Sequence, residues 1–316
     1  MDTMTATPHC RICARPQTTY YATAQDVEYF TTKDEFTFYR CEDCDVLFLH
    51  PMPVDRLSEI YPPNYYSFHV DSGRSIAQRI KQFLDDRAFA ALTRDIKGTS
   101  LAALDVGGGS GWLLNDLKRA DPRVDRTAVV DIDTRAEGIA RANGHSYHLT
   151  TFERFDTNER FDVILMLNLI EHVPDPVAVL RKAKELLRPG GRIWIKTPNF
   201  DALDARIFKN RSWGGFHTPR HFVLFTRDSL VRHCEAAGFT VVHSSYTQGA
   251  PFWTVSAINE LRKLGLCTVT SSQPSIENPL TPLFHIAFAA FDFLRMPFSK
   301  TSQVNIHLTV PSRNGD

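Results

Sequence analysis

The 316-residue chain has no surplus of charge. Its 36 Lys and Arg are matched by 36 Asp and Glu, for a formal net charge of +0 at pH 7. That balance supplies no overall field toward nucleic acid or an anionic membrane, although it leaves room for a local patch. No uncharged apolar run reaches the roughly 20 residues that cross a bilayer. The opening stretch MDTMTATPHCRIC lacks the charged-then-apolar order of a secretory signal, so the protein is expected in the cytoplasm. Internal repeats and low-complexity tracts are also missing. What remains is ordinary globular material, 43% hydrophobic and 23% charged, long enough for one large domain and a smaller one.

In a reducing compartment the six cysteines read as thiols or metal ligands rather than disulfides. Four of them form two C-x2-C pairs, Cys10 with Cys13 and Cys41 with Cys44. Each pair sets two thiolates on one side of a tight knuckle, and two knuckles give four soft ligands suited to tetrahedral Zn2+. EFTFYRC, residues 35–41, alternates like a strand between them. Four protein ligands leave no open position, so such a zinc would be structural. The competing explanation is a redox pair or chance clustering. His9 and His50 are weaker substitutes as ligands, and Cys234 and Cys267 read as buried thiols.

Beyond residue 98, apolar runs of strand length alternate with segments of helical period. LAALDV, TAVVDI, DVILMLNL and GRIWIKT read as strands. GWLLNDLKRA, RAEGIARAN and PVAVLRKAKELL read as helices, the last with Asp175 as N-cap and Pro176 at its first position. Such alternation predicts an α/β fold, a doubly wound, mostly parallel sheet covered on both faces. The expected organisation is a zinc ribbon at 1–60, a Tyr-rich linker and helix at 61–98, a ligand-binding domain at 99–250, and an apolar insert with a last strand at 251–316.

Ligands of doubly wound sheets bind at the carboxyl ends of the strands, near the switch point. There the sequence reads LDVGGGSGWLL, residues 104–114. A dinucleotide fingerprint fails, because Gly107 and Gly109 are followed by Trp112 where a third glycine is needed. A phosphate-binding P-loop fails as well, because no Gly-Lys-Ser/Thr follows. What is present is D-x-G-x-G-x-G, made of Asp105, Gly107, Gly109 and Gly111, with Asp131 ending the next strand 20 residues later.

This pattern, continued through FDVILMLNLIEHVPDPVAVLRKAKELLRPGGRIWIKTPN, resembles class I S-adenosylmethionine (SAM) methyltransferases over roughly residues 100–245. The resemblance implies a seven-stranded Rossmann-like sheet with SAM as cofactor. The glycine turn would take the amino acid end of SAM and Asp131 the ribose hydroxyls, with Phe152 near the adenine and Asn168 also in the cofactor site. The four-cysteine start, LFLHPMP, the Tyr-rich linker and the PRH loop are similar to a narrower group that includes C-methyltransferases of nucleotide-linked deoxysugars. The sequence departs from those enzymes by lacking their long C-terminal domain, which weakens the sugar assignment and any base that domain would carry.

For the acceptor half, two segments are candidates. His172 follows the fourth strand and is read either as a base facing the methyl group or as a residue ordering its loop. WGGFHTPRHFVLF, residues 213–225, carries His217, Arg220 and His221, with Arg220 able to hold an anionic acceptor. Its alternative is a polar loop packed on the sheet. Tyr65 and Tyr66 are further candidates, as a lid. The apolar insert 281–298 reads first as a helix packed on the enzyme or at a dimer interface, and second as a peripheral membrane or lipid-linked acceptor contact. The expected reaction is methylation of a small molecule, such as a sugar or a natural-product or polysaccharide precursor. An RNA or protein methyltransferase and a zinc-ribbon scaffold with a SAM fold are the rivals. The absence of an Arg/Lys-rich tract counts against nucleic acid. Oligomeric state is not legible.

Overall fold

The protein is described here from a computed structural model covering residues 7–65, 76–210 and 212–310. Tyr66 lies outside these residues. In chain order the strands β1 (Thr18–Ala24), β2 (Phe36–Cys41) and β3 (Val46–His50) precede the short helix α1 (Leu57–Ile60) and the long α2 (Ile76–Thr93). The alternating part follows: β4 (Leu101–Val106), α3 (Trp112–Ala120), β5 (Val124–Asp131), α4 (Thr134–Ala142), β6 (Ser146–Leu149), β7 (Phe161–Leu167), α5 (Pro176–Leu186) and β8 (Leu187–Pro198). Then come α6 (Leu203–Phe208), β9 (Val223–Phe225), α7 (Arg227–Ala236), β10 (Thr240–Thr247), α8 (Ala250–Lys263), α9 (Thr281–Arg295) and β11 (Gln303–Thr309).

The large sheet has the order β10-β11-β8-β7-β4-β5-β6. Strands β4 to β8 run parallel to their neighbours, and β11 inserts antiparallel between β8 and β10. This is the expected seven-stranded, doubly wound sheet. All six residues of β4 are buried, as a central parallel strand covered on both faces requires. The order reverses between β4 and β7, which places a crevice at their carboxyl ends. Local chemistry agrees with the helix starts. The Asp175 carboxylate accepts the Ala178 N–H, Asp133 caps α4 at Arg135, and Thr226 forms a reciprocal capping box with Ser229. The RPGG segment differs from expectation: it is drawn into β8, with a register shift opposite Phe161–Val163.

The second sheet, β1-β2-β3-β9, joins the N-terminal strands to a strand from the PRH loop, through Val46 opposite Phe225 and Phe48 opposite Val223. One apolar core runs without a break from Phe38, Leu47 and Phe48 to Ile164, Ile193 and Ile306 on the large sheet. The N-terminal strands are thus packed into the main body as well as paired with it.

The insert forms α8 and α9. Phe288 stacks on Trp253 at 5.3 Å, and the fully buried Asp292 accepts from the Gly249 N–H, Trp253 Nε1 and the Ser302 hydroxyl. The opposite face of α9 leaves Leu283, Ile286, Phe293 and Leu294 more than 60% exposed. No helix among the described residues is long and apolar enough to cross a membrane.

Candidate active site

The candidate donor half, around the glycine turn, is made of backbone. Strand β4 ends at Val106 and the chain turns through Gly107, Gly109 and Gly111, all with positive φ (71°, 51° and 75°). L-residues with a Cβ adopt that region reluctantly. Space is also limiting: a Cβ on Gly111 would come 2.4 Å from His145 Cδ2, and one on Gly108 would come 2.5 Å from the Asp105 carboxylate. Asp131 grips the turn from β5. Its Oδ2 accepts the Gly109 N–H at 2.8 Å and its Oδ1 the Asp133 N–H at 3.0 Å. Each of these oxygens keeps a lone pair for a hydroxyl.

Asp105 lies beneath the turn, 1% exposed, with no hydrogen bond to Oδ2 among the described residues. Burial, followed by the charge of Asp131, holds its pKa well above the usual carboxylate range. An orphaned buried carboxyl oxygen next to a cradle closed to any Cβ fits a ligand with an amine at one end and ribose hydroxyls further along, as SAM has. Ile132, 48% exposed beside Asp131, offers apolar surface that sequence reasoning did not single out. Phe152 is 4% exposed, beside Phe155 and under the Lys182 ammonium, so little of its ring is open to an adenine. Asn168 has φ +57°, and its Oδ1 accepts from Gln303 of β11.

The acceptor half is made of side chains. A short 3-10 turn, Ile170–His172, follows β7. It begins next to the donor half, since a Cβ on Gly107 would touch Leu169 Cδ1 at 3.0 Å. The His172 and His221 rings stand 4.6 Å apart, and His217 lies 4.9 Å from His221. His172 Nδ1 contacts the Arg220 carbonyl and the Tyr61 hydroxyl, while His221 Nδ1 contacts the Gly215 carbonyl. Burial, then neighbouring histidines, lowers His172 to about 3 and His221 well below its ordinary value, so both rings are neutral at physiological pH. Between them lies Glu171, 0% exposed. Its Oε2 accepts from the Thr197 hydroxyl, its Oε1 has no hydrogen-bond partner among the described residues, and burial pushes its pKa up to about 8.

The N-terminal module completes this half. His217 Nδ1 pairs with Glu28 at 2.7 Å, and its Nε2 meets the Tyr65 hydroxyl at 3.1 Å. Arg220 requires a correction. It was expected to hold an anionic acceptor, yet its guanidinium is 0% exposed. It is ion-paired to Asp26 at 2.9 Å, donates to the carbonyls of Ile60 and Thr218, and lies over the Tyr29 ring. Its charge is consumed inside the protein, where it clamps the PRH loop to the N-terminal module. Sequence reasoning missed Asp26, Glu28, Tyr61 and Glu171. Only Glu171 had a signal, its place beside His172.

The two knuckles match each other. In each, the residue after the second cysteine (Ala14, Asp45) has positive φ and donates its N–H to the first cysteine's carbonyl. Sγ atoms of Cys10 and Cys44 are 3.6 Å apart, as are those of Cys13 and Cys41, and all four lie within 4.8 Å of one another. Four sulfurs around one Zn2+ at ~2.3 Å sit about 3.8 Å apart, so the residues present fit that ion.

A doubly wound sheet of this strand order, with a glycine turn over a buried Asp and a second Asp on the next strand, defines a class I SAM-dependent methyltransferase. The sequence model of the methyltransferase domain family matches residues 74–244, more than half of the chain, and the chain belongs to that family. The ubiquinone biosynthesis O-methyltransferase of Nitrobacter winogradskyi is 30% identical over 204 residues, covering 56% of this chain and 73% of the relative. That of Paramagnetospirillum magneticum is 38% identical over 169 residues, covering 47% and 65%. Among solved structures, the N-methyltransferase NodS from Bradyrhizobium japonicum, with S-adenosylhomocysteine (SAH) bound, has a TM-score of 0.45 at 15% identity, covering 81% of this chain and 96% of that one. The cysteine knuckles and α8–α9 lie outside the family match.

Proposed function

We propose that the enzyme methylates an oxygen of a small-molecule acceptor that enters beside His172. One observation carries this reading. The segment that packs on the donor glycines through Leu169 leads within three residues to the buried Glu171 and the half-buried His172, with the buried His221 beside them. The naming of the relatives as O-methyltransferases supports oxygen as the accepting atom.

When bound, SAM supplies a methyl group on a sulfonium. On this reading the turn at 107–111 holds its amino acid end and Asp131 its ribose. His172, kept unprotonated, accepts the hydroxyl proton as the acceptor oxygen attacks, a role worth ~10²–10⁴-fold. Orientation of donor and acceptor supplies more, ~7–11 kcal/mol of the barrier. Cys10, Cys13, Cys41 and Cys44 hold a structural Zn2+ that fixes the module carrying Glu28, Tyr61 and Tyr65.

The test is transfer of labelled methyl from SAM to phenolic, lipid-linked and nucleotide-sugar acceptors. The expected result is an O-methyl product, reduced ~10²–10⁴-fold in His172→Ala with SAH affinity unchanged. Label on carbon or nitrogen overturns the oxygen assignment, and no SAH binding below roughly 1 mM overturns the site.

A further inference from the structure

Glu171, His172 and His221 are in excess of what a proton acceptor needs. One ligand atom from each, two imidazole nitrogens and a carboxylate oxygen, lies within 4.8 Å of the other two. A carbonyl partner assigns the His221 tautomer. The Gly215 carbonyl can only accept, so the neutral His221 ring carries its proton on Nδ1 and keeps a lone pair on Nε2, while His172 Nδ1 lies between the Arg220 carbonyl and the Tyr61 hydroxyl, which can donate or accept. An imidazole that donates one N–H to a carbonyl and offers the other nitrogen is oriented as metal-binding histidines are. His221 Nε2 stands 4.0 Å from Glu171 Oε1, too far for a hydrogen bond. That oxygen is the unpartnered one, on a side chain with no exposed surface. The His221 lone pair and the orphaned carboxyl oxygen therefore lie near a common point with no hydrogen bond between them, and His172 offers a ring nitrogen within 4.8 Å of both. The half-buried His172 marks the side open to solvent.

We propose that Glu171, His172 and His221 form a second metal site, separate from the cysteine knuckles, for one first-row divalent cation such as Zn2+, Fe2+ or Co2+. Two imidazoles and a carboxylate are a donor set these ions accept, and three protein ligands leave positions open for oxygen donors. Ligands on one such ion, bound at about 2.0–2.2 Å, sit about 3–4 Å apart, so occupation draws the three side chains together by about an ångström. The place of the ion next to the acceptor rests on the oxygen-methylation reading above. A hydroxyl on the ion would give up its proton more readily. Its oxygen would then form the new bond to the methyl carbon as the sulfur–carbon bond breaks, leaving a neutral thioether; with His172 engaged as a ligand in place of its role as proton acceptor, the proton would pass to His217 or solvent.

The experiment uses the full chain with the four-cysteine site filled by Zn2+ and other ions removed by a mild chelator. Co2+ is then titrated, with visible absorption and calorimetry as readouts. The expected result is one Co2+ per chain, with weak d–d bands and no thiolate charge-transfer band. Glu171→Gln and His172→Gln should each weaken it at least about tenfold. Both variants keep the volume of the side chain, and unaltered SAH affinity with a cooperative melt reports that they fold. No Co2+ uptake by the wild type up to about 1 mM overturns the site without reference to any variant. Unchanged affinity in folded Glu171→Gln overturns it equally. The acceptor reading fails independently, through absence of O-methyl product while Co2+ binds.

Discussion

The two halves of the site are built from different materials. In the donor half, residues 105–111 form one continuous turn, closed by a single side chain from the neighbouring strand, Asp131. In the acceptor half, the contacts join Tyr61 to His172 across 111 residues, Glu28 to His217 across 189 and Asp26 to Arg220 across 194. The first half is a property of one strand–turn–helix unit. The second exists only where the N-terminal module docks. Anything that loosens that docking should silence the acceptor half and spare the donor half.

The largest break comes from Cys10→Ser with Cys44→Ser. Loss of the structural ion unfolds small metal-held modules. Metal content should fall by one ion per chain and methyl transfer by at least about 100-fold, while SAH affinity by calorimetry shifts less than about tenfold. An equal loss of SAH binding would show that the halves are not separable.

Asp26→Asn comes next. It leaves a fully buried guanidinium without its charge partner, a change that costs about 3–5 kcal/mol, read by urea unfolding. The same pair predicts a pH window. Burial alone would raise Asp26, but Arg220 and the N–H groups of Tyr29 and Thr31 bring it down to about 2. A carboxyl lowered on folding stabilises fully above its unfolded value near 4, and the contribution, about 2 kcal/mol, is lost as pH falls from about 4 to about 2. Asp26→Asn should flatten that limb of the stability curve.

Gly111→Ala acts on the donor half alone. A positive φ and a 2.4 Å approach to His145 predict a loss of about 1–3 kcal/mol, with weaker SAH binding and an unchanged metal content. The smallest effect belongs to α9. Phe293→Ser and Leu294→Ser, at exposed positions, should each change stability by less than about 0.5 kcal/mol. A drop of several kcal/mol in this pair would mean that a second copy of the chain covers the face.

How far the sequence could be read follows the same division. The order of strands and helices, the caps at Asp175 and the glycine turn were legible because each depends on neighbours within a few positions. The two cysteine pairs were legible because ligand spacing is itself local. For Arg220 the sequence left two readings, a hold on an anionic acceptor and a loop packed on the sheet, because an isolated segment does not show its charge partner. Only the approach of Asp26, from the other end of the chain, turns it into an internal clamp. The RPGG segment lies in β8 as an irregularity between Leu187, opposite Phe161, and Arg192, opposite Val163, so the strand pairing on either side of it was not legible from its own turn residues.

Sequence alone therefore determined the class of protein and the backbone shape of the glycine turn. Glycines that must adopt positive φ, followed by an acidic residue at the end of the next strand, encode a backbone shape with few other uses. The tertiary structure decided the acceptor half. Which histidines come together, which carboxyl oxygen has no partner among the described residues and which arginine is spent on an internal ion pair depend on docking between segments 48 to 194 residues apart. No local pattern carries that information, because desolvation and pairing exist only after the chain has folded.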